Sequence, residues 1–108
     1  MRRIFVDIDD CLVLWSEDPT RTTESWAPNR DLIRILELHM RDHPQDDLFL
    51  WSGGGKDYAV SWGHRLLSSD IPFTGLTKDR MTFPLVYPDS IVIDDMPIKV
   101  GVHVYPPP

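Results

Sequence analysis

The chain opens with a short apolar segment that is followed directly by a cluster of aspartates. Residues 4–6 are Ile-Phe-Val, and Asp7, Asp9 and Asp10 follow within four positions. A run of this length and composition is typical of a strand buried on both faces of a sheet. In open α/β sheets, ligands bind in the crevice beyond the carboxyl ends of the strands. Asp7 and Asp9 are therefore predicted to project into such a crevice, although an acidic turn is the ordinary interpretation of a single Asp-x-Asp pattern.

The same pattern recurs near the other end of the chain, and the recurrence favours a functional site over a turn. Residues 91–93 are Ile-Val-Ile, and Asp94 and Asp95 follow them. Two strands that each end in carboxylates predict one acidic pocket, to which Asp7, Asp9, Asp94 and Asp95 contribute. Because clustered carboxylates repel one another, a hard divalent cation stabilises them, and Mg²⁺ is the expected metal.

A glycine-rich loop between a strand and a helix predicts a phosphate site. Residues 48–51 form an apolar run, residues 52–55 are Ser-Gly-Gly-Gly, and residues 56–67 carry apolar side chains at helical spacing. Glycines let backbone N–H groups approach a phosphoryl oxygen, and the helix N-terminus adds partial positive charge. Ser52 and Gly53 are therefore the candidate phosphate-binding residues, although a serine at such a position also commonly closes a turn or caps a helix.

Together these segments resemble the ordered motifs of the haloacid dehalogenase (HAD) superfamily of phosphotransferases. The resemblance rests on three segments that each follow an apolar run, which are residues 7–12, 52–53 and 94–95. It spans almost the whole chain. Cys11 departs from the Thr or Val that this family usually has, a small-residue exchange that leaves both aspartates of the first motif in place.

The resemblance implies a mechanism and a metal. Asp7 would attack phosphorus and form an aspartyl-phosphate, and Asp9 would protonate the leaving oxygen and then activate water. Mg²⁺ would be held by Asp7, by the main-chain carbonyl of Asp9 and by the Asp94-Asp95 pair. An aspartate at the second position favours a phosphatase or a mutase over an ATPase. The expected activity is Mg²⁺-dependent hydrolysis of phosphomonoesters.

A basic residue is expected to complete the site by neutralising the nucleophile and the transferred phosphoryl group. Lys78, which lies between the second and the last of these motifs, is the candidate. Arg80, Lys56 and Lys99 remain open as alternatives, because a single lysine in a polar loop is usually only solvated.

A regulatory module of a different class is the alternative function. The same acidic pocket would suit a receiver-like domain that accepts phosphate on an aspartate, or a catalytically silent module that binds metal and phosphate. A receiver carries its phosphorylated aspartate on a middle strand. Here the middle strand ends in Ser52, and the Asp7-x-Asp9 pattern follows the first strand. This order favours the enzyme.

Strands and helices alternate along the chain at the spacing of βαβ units. Residues 29–40 place apolar side chains along one helical face, residues 71–74 are a further candidate strand, and the valines of residues 100–104 alternate as a final strand. Residues 75–88 have an irregular pattern. The predicted fold is an α/β Rossmann-like three-layer domain with a mostly parallel central sheet and no cap domain.

The segment after the first acidic motif is too short to be a lid domain. Residues 13–28 have the composition of loops and turns, and they carry Trp15 and Trp26. Trp15 is predicted near the pocket mouth, although a tryptophan more commonly packs into a core. Without a cap, the pocket is expected either to be closed by a second copy of the chain or to stay open to a phosphate on a small molecule or a macromolecular end.

Length and charge limit the class of protein. The 108 residues suffice for one domain, predicted over residues 1–105, with the prolines of residues 106–108 as a frayed tail. The net charge of −6 and the lack of a basic stripe disfavour a nucleic-acid partner. No stretch approaches the ~20 apolar residues of a membrane span, no signal peptide is evident and one cysteine forms no internal disulfide, so a cytoplasmic location is expected.

Overall fold

The computed structural model describes residues 1–15 and 25–108. In chain order its elements are β1 (Arg3–Asp7), β2 (Val13–Trp15), β3 (Trp26–Pro28), α1 (Arg30–Asp42), β4 (Asp47–Ser52), α2 (Lys56–Leu66), β5 (Thr74–Thr77), a 3₁₀ turn (Phe83–Leu85), β6 (Ile91–Ile93) and β7 (Val104–Tyr105). One sheet has the strand order β5-β4-β1-β6-β7, and all its neighbouring strands are parallel. The predicted α/β fold with a mostly parallel sheet is therefore confirmed.

Strand β1 lies at the centre of this sheet because its side chains are apolar toward both faces. Phe5 and Val6 have no exposed surface. Val6 lies opposite Leu50 of β4 on one side and Ile93 of β6 on the other. From β1 the chain moves outward to β4 and β5 and then returns to the far side of β1. The strand order thus reverses at β1, and parallel sheets open a ligand crevice at such a switch point.

Both helices pack against the same face of the sheet. Leu32, Leu36 and Met40 of α1 and Trp62 of α2 belong to one buried cluster with Val6 of β1. Among the described residues, those that cover the opposite face belong to the 3₁₀ turn and to residues 98–104, and none of them is in an α-helix. In the part of the chain described here, neither helix is long and apolar enough to cross a membrane.

Asn29 caps the first helix and ties two other segments to it. Its Oδ1 accepts a hydrogen bond from the N–H of Leu32 at 3.3 Å, as an N-cap residue does. Its Nδ2 donates to the carbonyls of Cys11 at 2.9 Å and of Pro108 at 3.1 Å. The C-terminal prolines, which were predicted to be frayed, are therefore in contact with Asn29 through the carbonyl of Pro108. The predicted helices over residues 29–40 and 56–67 are confirmed as α1 and α2, to within two residues at each end.

The strand predicted at residues 71–74 was placed too early. The structure has β5 at Thr74–Thr77, within a segment that the sequence pattern marks as largely irregular. Ile71 is buried in the helix-side cluster, and Pro72 has no N–H to donate to a ladder. The chain therefore joins the sheet only after these residues.

Two further segments differ from their predictions. The final strand is only Val104–Tyr105, because Val100 and Val102 pack over the sheet face as covering chain. The segment of residues 13–28 is not all loop, since its two ends pair as the antiparallel strands β2 and β3. Residues 16–24 lie outside the described residues.

Gly63 of α2 is packed too closely to carry a side chain. A Cβ at this position would overlap the ring of Phe73 and would approach Leu50 Cδ1 to 2.8 Å. Leu50 has no exposed surface, so it cannot move aside without disturbing the sheet. Close packing of helix on sheet therefore explains a glycine in the middle of a helix.

We expect Gly63→Ala to lower the free energy of unfolding by about 1–3 kcal/mol through overpacking. Alanine is the better helix former by about 1 kcal/mol, so propensity alone predicts the opposite sign. Urea denaturation of this variant beside Ser61→Ala, a change at an exposed position of the same helix, measures the effect. A Gly63→Ala variant that is more stable than the natural protein would contradict the close packing.

Candidate functional site

The carboxyl ends of four parallel strands bring the predicted site residues to one edge of the sheet. Asp7 ends β1, Ser52 ends β4, Lys78 follows β5 and Asp94 follows β6. The backbone N–H of Lys78 donates to the carbonyl of Ser52 at 2.9 Å, which extends the pairing of β4 with β5 to the edge itself. Segments that are distant in sequence therefore meet because parallel strands share one direction.

Three carboxylates form the centre of this site. Asp7, Asp94 and Asp95 each offer an oxygen, and these oxygens lie within 4.8 Å of one another. Asp7 and Asp94 are 5% and 2% exposed, whereas Asp95 is open to solvent. Carboxylate oxygens at this spacing suit a hard cation such as Mg²⁺. The carboxylate of Asp9 is not part of the group.

Of the basic residues that the structure describes, Lys78 is the one that contacts these carboxylates. Its Nζ lies 2.9 Å from Asp7 Oδ1 and 3.0 Å from Asp94 Oδ2, and its side chain is only 16% exposed. Burial lowers the pKa of this ammonium group, but the hydrogen bonds to Asp7 and Asp94 outweigh burial and raise the pKa. Lys78 therefore stays charged, and one ammonium group faces three carboxyl groups.

The alternative cations do not reach the site. Within residues 1–15 and 25–108, no ion pair or side-chain hydrogen bond joins Lys56, Arg80 or Lys99 to a site carboxylate. Lys56 lies at the start of α2 and is exposed, as are the other two. The geometry thus distinguishes Lys78 from candidates that sequence reasoning left open.

Asp7 holds its proton unusually well for an aspartate. Burial raises its pKa to about 7, with the Lys78 hydrogen bond opposing the rise and the charge of Asp94 adding to it. The pKa of Asp95 is also raised, chiefly by desolvation. With a pKa of about 7, Asp7 is partly protonated at neutral pH in the absence of a metal, and a cation that binds its carboxylate displaces that proton.

Asp9 stands apart from the cluster and is held by two donors. The indole Nε1 of Trp15 donates to Asp9 Oδ1 at 2.9 Å, and the hydroxyl of Tyr58 donates to the same oxygen at 2.6 Å. Trp15 comes from β2 and Tyr58 from the first turn of α2. Among the described residues both donors use Oδ1, so the other oxygen, Oδ2, is the one available for proton exchange with a ligand.

Tyr58 is the site residue that sequence reasoning missed. It lies 49 positions from Asp9 in the chain, and its helical spacing marks it only as a core position. Trp15 was expected near the pocket mouth, and the structure places it against Asp9. The sequence signal that could have identified Tyr58 is its position in the first helical turn after the glycine-rich loop, because that turn lies at the edge of the sheet where the site forms.

A closed turn after β1 sets the position of Asp9. The N–H groups of Leu12 and Val13 both donate to the carbonyl of Ile8 at 3.0 Å, and Asp10 has a φ of 57°, a left-handed conformation that aspartate tolerates better than most residues. The turn reverses the chain directly beyond Asp9. The side chain of Asp9 is thereby brought between the end of β1 and the start of β2.

Cys11 is a packing residue in this turn. It is fully buried, and its Sγ lies 3.7 Å from the carbonyl of Ile93. Burial raises the pKa of the thiol, and the nearby carboxylates, Asp7 first, raise it further. The thiol therefore stays protonated and is not a nucleophile.

Ser52 and Gly53 lie beside the carboxylates in the loop between β4 and α2. Ser52 is buried, and its Oγ accepts a hydrogen bond from the N–H of Gly54 at 3.0 Å, so the turn-closing role is present. A hydroxyl that accepts still has its own hydrogen to donate. Apart from Gly53 itself and its two chain neighbours, no atom of the described residues lies within 4 Å of where a Gly53 Cβ would be, and Gly55 has a φ of 111°, which favours glycine. The loop leaves room for an anion.

Comparison of the chain with protein-family models, with curated proteins and with solved structures finds no match. The resemblance to the HAD superfamily therefore stays a prediction from motifs. The interpretation of the site rests on its own geometry and charge.

Removal of the Asp7 carboxylate is expected to change how stability depends on pH. Because the pKa rises from 3.8 to about 7 on folding, the folded state binds this proton more tightly than the unfolded state. The stabilisation that the folded state gains by binding this proton is complete at low pH and is lost as the pH rises through 7. The Asp7→Asn variant does not undergo this loss. In EDTA its melting temperature should therefore increase relative to that of the natural protein by at least about 4 °C between about pH 5 and pH 8.

Thermal unfolding followed by circular dichroism measures this difference. Asp89→Asn, a change at an exposed aspartate, serves as the matched control and should follow the natural protein at each pH. A difference for Asp7→Asn that stays constant or falls over this range would contradict the raised pKa.

Proposed function

We propose that this protein is a Mg²⁺-dependent phosphomonoester hydrolase that acts through an aspartyl-phosphate, as the HAD superfamily does. The observation that carries the proposal is the contact of Lys78 with both Asp7 and Asp94 at the edge of the sheet, while Asp9 is held separately. These residues would supply a nucleophile, a neutralising cation, carboxylates for a metal and a group for proton transfer. The proposed architecture is a three-layer Rossmann-like domain without a cap, in which the 3₁₀ turn and residues 98–104 form the layer opposite the two helices.

Asp7 and Asp9 divide the chemistry. The Asp7 carboxylate attacks phosphorus in line, and the bond from phosphorus to the leaving oxygen breaks as that oxygen takes a proton from Asp9. Water then attacks the phosphorus of the aspartyl-phosphate, Asp9 takes back a proton, and the bond to Asp7 breaks to release phosphate. The hydrogen bonds that hold Asp9 Oδ1 support this role, since they fix the second oxygen for both proton transfers.

The remaining residues would hold the metal ion and neutralise the charge of the phosphoryl group. Asp7, Asp94 and Asp95 together with the main-chain carbonyl of Asp9 would hold Mg²⁺, and the close carboxylate oxygens fit such a cation. When bound, Mg²⁺ offsets the negative charge that collects on the phosphoryl group. Lys78, whose ammonium group contacts both Asp7 and Asp94, would add a second positive charge at the site.

Ser52 and Gly53 would donate to the phosphoryl oxygens, and an open pocket would admit the rest of the substrate. Donors fixed in place before the reaction stabilise developing charge most effectively. The substrate is a phosphate on a small molecule or on a macromolecular end, or else a second copy of the chain closes the pocket. The net charge of −6 argues against a nucleic-acid duplex, and the cytoplasm is the proposed location.

We expect hydrolysis of p-nitrophenyl phosphate to require Mg²⁺ and to stop in EDTA. Asp7→Asn should reduce kcat at least about a thousandfold because the nucleophile is lost. Lys78→Ala should reduce kcat/KM at least about a hundredfold, while Lys56→Ala, which removes an exposed lysine, should stay within about threefold of the natural protein. Steady-state kinetics with circular dichroism as a check on folding measures both.

Turnover that survives EDTA would contradict the proposed metal. Equal small effects of Lys78→Ala and Lys56→Ala would contradict the role of Lys78. A folded protein that binds Mg²⁺ without any turnover would favour the regulatory module instead.

Tyr58 is proposed as a positioning residue for Asp9, and leaving-group dependence tests this role. Tyr58→Phe removes a hydrogen bond of 2.6 Å but keeps the ring that packs on Trp62. We expect kcat/KM for an alkyl phosphate, whose leaving oxygen needs a proton, to fall about tenfold or more. For p-nitrophenyl phosphate, whose leaving group needs little protonation, the change should stay within about threefold.

The matched control is Tyr87→Phe, which removes a hydroxyl that pairs with Arg3. Its kinetics with both substrates should equal those of the natural protein. Losses of equal size with both substrates in Tyr58→Phe would show that the hydroxyl supports the fold or binding in general, and not the transfer of a proton by Asp9.

A further inference from the structure

A groove between α1 and α2 concentrates positive charge on a chain that is acidic overall. Arg30 and Arg34 of α1 and Arg65 of α2 line it, and its volume is about 560 Å³. The chain as a whole has a net charge of −6. We refer to the surface lined by these three residues as the arginine groove.

These arginines have no anionic partner among the described residues. Elsewhere a surface arginine is paired, as in the contact of Arg41 with Asp70 at 2.9 Å. Within residues 1–15 and 25–108, no ion pair or side-chain hydrogen bond includes Arg30, Arg34 or Arg65. Three exposed guanidinium groups that face one groove repel one another, and an anionic ligand relieves this repulsion.

Among the described residues that line the groove, Glu37 is the one carboxylate, and one of the three arginines is held in place by stacking. Glu37 accepts a hydrogen bond from the N–H of Ser68 at 2.7 Å. The guanidinium carbon of Arg65 lies 4.5 Å from the centre of the Trp26 ring and 5.0 Å from that of Trp62. Such stacking orders the cation before a ligand arrives.

The groove suits a peptide better than a polynucleotide. Arginine binds phosphate and carboxylate groups in a two-pronged manner, and Arg clusters are a recurring means of recognising phosphorylated peptides. Pro28, Ile33 and Leu66 also line the groove and match apolar side chains, which a sugar-phosphate backbone lacks. Arg65 stacks over one face of Trp26 and so competes with a base for that face.

The groove adjoins the candidate site through three tryptophans in contact. Trp26 packs edge-on against Trp62 at a ring distance of 4.7 Å, and Trp62 packs against Trp15 at 6.1 Å. Trp15 in turn donates to Asp9. A ligand in the groove therefore lies on the side of the molecule from which Asp9 is held.

We propose that the arginine groove binds a phosphorylated segment of a polypeptide. The groove is large enough for several residues, and it offers both cations and apolar contacts to them. If a further phosphoryl group of the same polypeptide reaches Asp7, phosphorylated proteins are the substrate class of the hydrolase. That last step rests on the proposed function, whereas binding in the groove does not.

The test is fluorescence anisotropy in EDTA with a labelled peptide that carries two phosphoserines beside a leucine. The natural protein should bind this peptide, and raising the salt concentration should weaken binding. Arg30→Gln and Arg34→Gln should each weaken binding about tenfold or more. Arg2→Gln, which removes an exposed arginine outside the groove, is the matched control and should leave binding unchanged.

Three outcomes would overturn the proposal. They are equal binding of the unphosphorylated peptide, equal affinities of Arg34→Gln and Arg2→Gln, and tighter binding of a labelled single-stranded oligonucleotide than of the phosphopeptide. Since EDTA removes the cation, binding is measured without turnover. A phosphopeptide that binds in EDTA but is not hydrolysed with Mg²⁺, while p-nitrophenyl phosphate is, would contradict the inferred substrate class and leave both the groove and the hydrolase intact.

Discussion

The ammonium group of Lys78 stabilises an edge of the sheet whose charges would otherwise repel one another. Asp7 and Asp94 are nearly buried, and desolvated carboxylates side by side are costly unless a cation lies between them. Lys78 follows β5, at the edge of the sheet, and its side chain reaches past β4 to β1 and β6. Because β5 lies beside β4, Lys78 reaches Asp7 and Asp94, and the central strands can therefore end in buried carboxylates.

The two acidic motifs were predictable from sequence because their signal is local. A continuous apolar run encodes a strand buried on both faces, and an abrupt change to acid marks the end of that strand. The central sheet position of Phe5 and Val6 and the meeting of Asp7 with Asp94 follow from those two patterns and from parallel pairing. The turn between β4 and α2 was predictable for the same reason, since its glycines and its helix are consecutive in the chain.

The parts that sequence did not predict depend on close contacts between distant segments. Gly75 has the appearance of a turn residue, yet it lies inside β5, where a Cβ would collide with Val60 of α2. A glycine that permits close approach and a glycine that makes a turn look alike in a sequence. Tyr58 is a similar case, because only the packing of α2 beside the first turn brings its hydroxyl to Asp9.

The far edge of the sheet limits how copies of this chain can associate. Strand β7 has two residues, and the three residues after it are prolines, which have no N–H to donate to a neighbouring strand. An exposed strand edge ordinarily serves as a template for fibrillar stacking or strand exchange. Here the backbone offers too little of a template, so any contact between copies along this edge depends on the shape and chemistry of side chains.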